Sequence, residues 1–357
     1  MKAATFQGVR RVAVREKPTS AILAPGDAIV EVELAGLCGS DLHPYRGREL
    51  GLDPGATMGH EFTGRVVEVG REVEGIRPGD TVMSPFSTSC GRCGPCTRGL
   101  SARCERGALF GWVQDGRGLE GAQAEYVRVP LAGTTLMARP RTLNALEALL
   151  LGDVVATGFY VAERGGVGVG EAVAVLGLGA VGLAAVMASR QAGAYPVLAL
   201  DAVPERLAVA ESLGAAVVPT VNDAARLRSD PDIAAEVRRL AGGEGVAVAL
   251  EAVGTPEATR LALALLRPGG TLGVGGFHTE PVFAVSPGQA YDKNLTISAG
   301  RCPVRSRLEA LCALQERERL PLERLVTHRV PLSEAADAYR LFDERAQGCV
   351  KLVFEPR

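Results

Sequence analysis

Residues 172–191 read AVAVLGLGAVGLAAVMASRQ, and this stretch decides the fold class. A short valine-rich apolar run comes first, as a buried strand requires. Gly177-Leu178-Gly179-Ala180-Val181-Gly182 follows, and an alanine-rich helix former starts directly after it. A glycine turn between strand and helix is the context of a dinucleotide fingerprint. The first glycine permits the tight turn, the second lets a pyrophosphate approach the backbone, and the third lets helix and strand pack closely. The helix start then offers N–H groups and a positive dipole end to the phosphates. Asp201 ends the next apolar run, PVLALD, 24 residues after Gly177. A carboxylate there accepts hydrogen bonds from the adenosine ribose hydroxyls and repels a 2′-phosphate. The bland alternative is a glycine turn beside a helix-capping aspartate. GGVGVG at 165–170 lies ahead of the strand and reads as a plain loop.

Downstream, apolar runs alternate with helical stretches: PERLAVAESLG, AAVVP, residues 233–240, VAVAL, PEATRLALALLR, GGTLGVGG and NLTISAG. That alternation predicts βαβ units on a six-stranded, doubly wound parallel sheet over 155–300. Before about residue 150 the text is β-like instead, with AIVEVELAGL, EFTGRVVEVG, DTVMSPF and AEYVRVP set between Pro/Gly breaks. After residue 300, helical stretches at 305–319 and 333–344 and the runs LVTHRVPL and CVKLVF break the alternation. They are expected to pack back on the first domain, giving one domain of 1–154 with 301–357 and a second of 155–300.

The length of 357 residues suits two such domains. With 41 acidic against 39 basic residues, the net charge of −2 gives no general attraction to nucleic acid or anionic lipid, so function should reside in a site. The N-terminal MKAATFQGVRRVAVREKP carries charges where an export signal needs an apolar run. The uncharged stretch 172–189 approaches a membrane span in length, but its three glycines break it. No membrane partner is expected, and the cytoplasm is the default compartment. Eight cysteines then point to thiols, metal ligands or catalysis before disulfides. Only Lys2, Lys17, Lys293 and Lys351 are lysines among the basic residues, which reads as compositional bias.

Cys90, Cys93, Cys96 and Cys104 place four thiols within fifteen residues, interleaved with Gly91, Gly94 and Pro95. This predicts a closed tetrahedral thiolate zinc site, structural because no position is left for a substrate. An iron–sulfur cluster fits less well, since Glu105 rather than proline follows the fourth cysteine. A second constellation is scattered: Cys38-Gly39-Ser40-Asp41-Leu42-His43, then Gly59-His60-Glu61.

With C-G-S-D-L-H, G-H-E, the four-cysteine loop, G-L-G-A-V-G and the late V-T-H-R-V-P-L-S-E-A in this order, the chain resembles the zinc-dependent medium-chain alcohol dehydrogenases. The resemblance implies a GroES-like catalytic domain interrupted by a Rossmann domain, two zinc ions per chain, NAD, and a homo-oligomer, tetramer or dimer. It implies that Cys38 and His60 ligate the catalytic zinc, that Asp41 orients His60, and that Glu61 is the acid beside the metal. Ser40 would touch the substrate oxygen, with His43 at the outer end of a proton relay. Asp201 and Arg206 would bind the adenosine ribose region, and Thr157 would pack on the nicotinamide. Asp153, in L-G-D-V-V-A-T-G, stands where liver-type members carry a ligating cysteine, and so resembles the branch related to glutathione-independent formaldehyde dehydrogenase. The implied activity is hydride transfer between an alcohol, or its aldehyde or ketone, and NAD. Alternatives are an aldehyde-oxidising or dismutating relative that retains NAD, a polyol or threonine dehydrogenase, or an NAD-binding scaffold or sensor. A zinc-free quinone reductase of this fold fits less well, because Cys38, His60 and Asp153 are all present.

Overall fold

The computed structural model describes residues 1–221 and 231–356. The chain divides into two compact units, Met1–Ala156 with Pro303–Arg357, and Thr157–Cys302.

In the second unit six parallel strands lie in the spatial order Ala216–Pro219, Val197–Asp201, Val173–Leu176, Val246–Glu251, Leu266–Val274 and Thr296–Ala299. By sequence that is 3-2-1-4-5-6, the doubly wound dinucleotide-binding order. Val173–Leu176 is buried at every position, as expected of a central strand covered on both faces. The order reverses between Val173–Leu176 and Val246–Glu251, so the glycine turn and the end of Val246–Glu251 flank the reversal. One boundary departs from the sequence reading. PEATRLALALLR is expected to be helical throughout, yet the helix stops at Leu265 and Leu266 already begins a strand. Pro268 explains this, because it disfavours helical geometry at Arg267 and cannot donate to a helix itself.

The first unit is built on a seven-stranded sheet. Its central strand, Ala28–Leu37, pairs antiparallel with Glu61–Val69, with Tyr126–Val129 and with Leu352–Glu355. The strand Leu352–Glu355 also pairs with His328–Pro331, so the late segment completes the sheet that the first strands begin. Phe62, Val66, Val82, Phe110, Tyr339 and Phe354 belong to its buried core. A helix at Ala145–Leu151 is started by a reciprocal cap, Asn144 accepting from the Glu147 amide and Glu147 accepting from that of Asn144. The apolar segment Ala145–Arg164 is long and apolar enough to cross a membrane, but most of it is buried inside the protein.

Candidate metal and dinucleotide sites

Four donor side chains converge in the first unit. Cys38 follows the central strand and opens a short turn, Gly39–Asp41. His60 and Glu61 stand where the neighbouring strand begins. Asp153 comes just after the helix Ala145–Leu151, where Gly152 lies so close to the Ser84 carbonyl that an added Cβ would sit 2.5 Å from it. One donor atom from each of Cys38, His60, Glu61 and Asp153 lies within 4.8 Å of the others.

The electrostatics of this cluster call for a cation. Burial pushes the Cys38 thiol above its ordinary value, and the charges of Glu61 and Asp153 add to that. Burial alone would push His60 down, but the Asp41 charge and hydrogen bonds to Asp153 and Asp41 hold it well above its ordinary value. Like charges crowded out of water are stable only when paired or bound to metal. Thiolate, imidazole and carboxylate together are zinc donors, so the residues present fit that ion.

Around the cluster, His60 Nδ1 lies 3.2 Å from Asp41 Oδ1, while Nε2 lies 3.3 Å from Asp153 Oδ2 and 3.2 Å from Ser40 Oγ. His43, on the helical turn Leu42–Tyr45, is partly exposed. Four residues around the cluster were not assigned by the sequence reading. Lys351 Nζ donates to both Glu61 carboxylate oxygens at 2.5 Å and to the Leu37 carbonyl at 3.0 Å. Burial would lower the Lys351 ammonium, but Glu61 overrides it and holds it above its ordinary value. Gly36, opposite Glu61 on the central strand, leaves room for that carboxylate, since an added Cβ would lie 2.0 Å from Oε2. Gln123 and Tyr339, both fully buried, complete the surroundings. The Tyr339 hydroxyl donates to Gln123 Oε1 at 2.8 Å, and burial and the Asp41 charge push its phenol well above the ordinary value. The signal for Lys351 was on the page: a charged residue inside the apolar run CVKLVF, and one of only four lysines.

The four-cysteine loop gathers its sulfurs as its spacing predicts, with Cys90, Cys93, Cys96 and Cys104 also within 4.8 Å. Gly91 takes a positive φ of 69°, which the turn between the first two cysteines requires. Backbone amides point at the sulfurs: Cys90 and Arg106 donate to Cys104 Sγ at 3.2 and 3.4 Å. At Cys90, burial raises the thiol, but amides of Arg92 and Cys93 outweigh it and lower it to about 6. Cys96 is instead pushed up to about 12 by burial and the adjoining sulfurs. A cation satisfies both tendencies, so this donor set also fits zinc. Cys302, Cys312 and Cys349 are buried and in no disulfide.

In the second unit the glycine turn behaves as its pattern demands. Gly177 has φ of 86°, and a Cβ at Gly182 would lie 1.8 Å from the Gly177 carbonyl oxygen. At Gly179, the cap of the helix Ala180–Gln191, an added Cβ meets nothing within 4 Å. The turn is therefore closed on its protein side and open where a pyrophosphate would approach. Asp201 accepts from the Leu178 amide at 2.7 Å and the Val203 amide at 2.9 Å, with Arg206 Nη1 3.8 Å away. It thus steadies the glycine turn. Thr157 lies on the helix Val154–Arg164. GGVGVG forms turns and coil.

The chain matches the family of alcohol dehydrogenase GroES-like domains over residues 24–139 and that of zinc-binding dehydrogenases over 180–316. Zinc-type alcohol dehydrogenase B of Aspergillus flavus is 38% identical over 361 residues, covering 99% of this chain and 81% of that one. The solved alcohol dehydrogenase TADH of Thermus sp. ATN1 superposes with a TM-score of 0.90 at 38% identity, over 100% of both chains. Glutathione-independent formaldehyde dehydrogenase of Pseudomonas aeruginosa is 38% identical over 236 residues, 63% of this chain and 57% of that one. Among solved structures, an alcohol dehydrogenase of E. coli CFT073 complexed with NADH has a TM-score of 0.82 at 26% identity over 99% of both chains. A zinc-binding dehydrogenase of Sinorhizobium meliloti bound to NADP has a TM-score of 0.82 at 28% identity, also over 99% of both.

Proposed function

The chain belongs to the zinc-dependent medium-chain alcohol dehydrogenases, and from that premise we propose that it exchanges a hydride between an alcohol, or the matching aldehyde or ketone, and NAD. The observation that carries this reading is the convergence of Cys38, His60, Glu61 and Asp153 on one point. Cys38, His60 and Asp153 hold the catalytic zinc, and the four cysteines hold a second, structural one. When bound, the catalytic zinc supplies Lewis acidity at the substrate oxygen and the nicotinamide supplies the hydride acceptor.

The chain's own residues do the rest. Asp41 fixes the His60 ring. Ser40, beside His60 Nε2, accepts the substrate hydroxyl proton as it gives up its own, and His43, three residues on and partly exposed, releases a proton to solvent at the outer end of the relay. Gly177, Gly179 and Gly182 seat the pyrophosphate against the helix start. Asp201, with Arg206 beside it, receives the ribose hydroxyls and disfavours a 2′-phosphate, and Thr157 packs on the nicotinamide. Eight cysteines, none of them in a disulfide, support a reducing, cytoplasmic setting. The edge strand Thr296–Ala299, with Ile297 38% and nearby Tyr291 83% exposed, supports a second copy as its partner.

Steady-state assays with a panel of alcohols and both cofactors test the reading. Turnover with NAD well above NADP is expected. No turnover with any alcohol or aldehyde would leave an NAD-binding scaffold, and equal efficiency with both cofactors would remove the role given to Asp201.

A further inference from the structure

We propose that Gln123 and Tyr339 are positioning residues of the metal centre: a buried hydrogen-bond chain from Tyr339 through Gln123 to Asp41 fixes which nitrogen of His60 faces the metal. This rests on the zinc reading above.

The chain has one self-consistent direction. Gln123 Nε2 lies 3.0 Å from the Gly36 carbonyl and 3.3 Å from Asp41 Oδ2. A carbonyl and a carboxylate are acceptors only, so the amide must turn its NH2 toward both. That leaves Oε1 for the Tyr339 hydroxyl, which donates to it at 2.8 Å. Asp41 Oδ2 also accepts from the Cys38 amide at 2.9 Å, so Oδ1 is the atom left for His60 Nδ1 at 3.2 Å. An acceptor there requires the ring proton on Nδ1. The lone pair then sits on Nε2, the nitrogen beside Asp153. Were the Gln123 amide reversed, its oxygen would face two other acceptors and Asp41 would lose a donor.

The fold reserves space for this residue. Gly59, directly before His60, has φ of 88°, and an added Cβ would lie 2.4 Å from Gln123 Cγ. Gln123 and Tyr339 are both 0% exposed, and Tyr339 reaches in from the helix Ala335–Glu344. An apolar residue of similar volume would fill the Gln123 site without an unpaired amide, so packing alone does not account for a glutamine there.

The test follows zinc release from the purified holoenzyme to EDTA, with metal content counted at intervals. Wild type should release one zinc readily and the four-cysteine zinc slowly. Gln123→Met should speed loss of the first roughly tenfold and leave the second unchanged. Tyr339→Phe, which keeps the ring and its packing, should speed it a few-fold. In an Asp41→Asn background, Gln123→Met should add less than twofold, since the donor then has no carboxylate to hold. Faster loss of both zincs together, an unchanged rate for the first zinc, or the same factor with and without Asp41 would each overturn the inference. A wild type with zinc only in the four-cysteine loop would overturn the metal reading and this inference with it.

Discussion

Glu61 and Asp153 bring carboxylates to the same point, but Lys351 grips both oxygens of Glu61, whereas the Asp153 carboxylate faces His60 Nε2. Asp153→Asn is therefore expected to drop from two zincs to one after dialysis, while Glu61→Gln keeps both and loses mainly rate. Zinc stoichiometry of the two variants decides, and the reverse pattern would exchange their roles. Lys351→Met should cost about 3–5 kcal/mol of stability, because it strands a fully buried carboxylate, and denaturant titration measures it. At this scale the sequence was legible where donors are close neighbours, as in the four-cysteine loop. Asp153 was reached only through the family resemblance. Lys351 was not reached at all, since its partner lies 290 residues away and nothing local announces the pairing.

Among the elements, the glycine turn separates two kinds of requirement. Gly182→Ala should damage the fold, because its new carbon would overlap the Gly177 carbonyl. Gly179→Ala should melt like wild type yet bind NAD at least tenfold more weakly, because its carbon enters only the open side of the turn. Thermal melts with NAD titrations check both. A second element-level contact joins two strand ends: His278 Nε2 lies 2.9 Å from Glu251 Oε2, while Glu251 Oε1 accepts from the Val253 and Gly254 amides. The hydrogen bond to Glu251 raises His278 above its ordinary value against the opposing effect of burial. Its stabilisation is accordingly full below the unfolded value of about 6.5 and is lost as pH climbs through the higher folded one. Wild type should exceed His278→Gln in urea resistance at pH 6 and converge on it at pH 9, and a constant gap would refute the linkage. The alternating strands and helices read in this unit were legible from hydrophobic period and Gly/Pro breaks, whereas the helices Val154–Arg164 and Pro287–Asp292 were not read. The end of the helix Pro256–Leu265 was not, because apolar residues continue past it and only Pro268 marks the stop.

Across the molecule, the two clusters of donor side chains differ in how they are assembled. The four cysteines span fifteen residues of one loop, whereas Cys38, His60, Glu61 and Asp153 come from segments far apart. Chelation should therefore abolish activity while the protein still melts at nearly the wild-type temperature, and unfolding should follow only when the loop is stripped. Simultaneous loss of activity and fold would contradict this. The same difference has a temporal side. On a ribosome adding roughly 5–20 residues per second, the 290 residues between Glu61 and Lys351 take about 15 to 60 s to synthesise. Until then Glu61, joined by Asp153 once residue 153 is made, lacks the Lys351 ammonium, while the four-cysteine loop has every sulfur it needs from residue 104 onward. Distance along the message therefore orders assembly: the sulfur loop can be complete early, and the Glu61–Lys351 pair only once translation has passed Lys351.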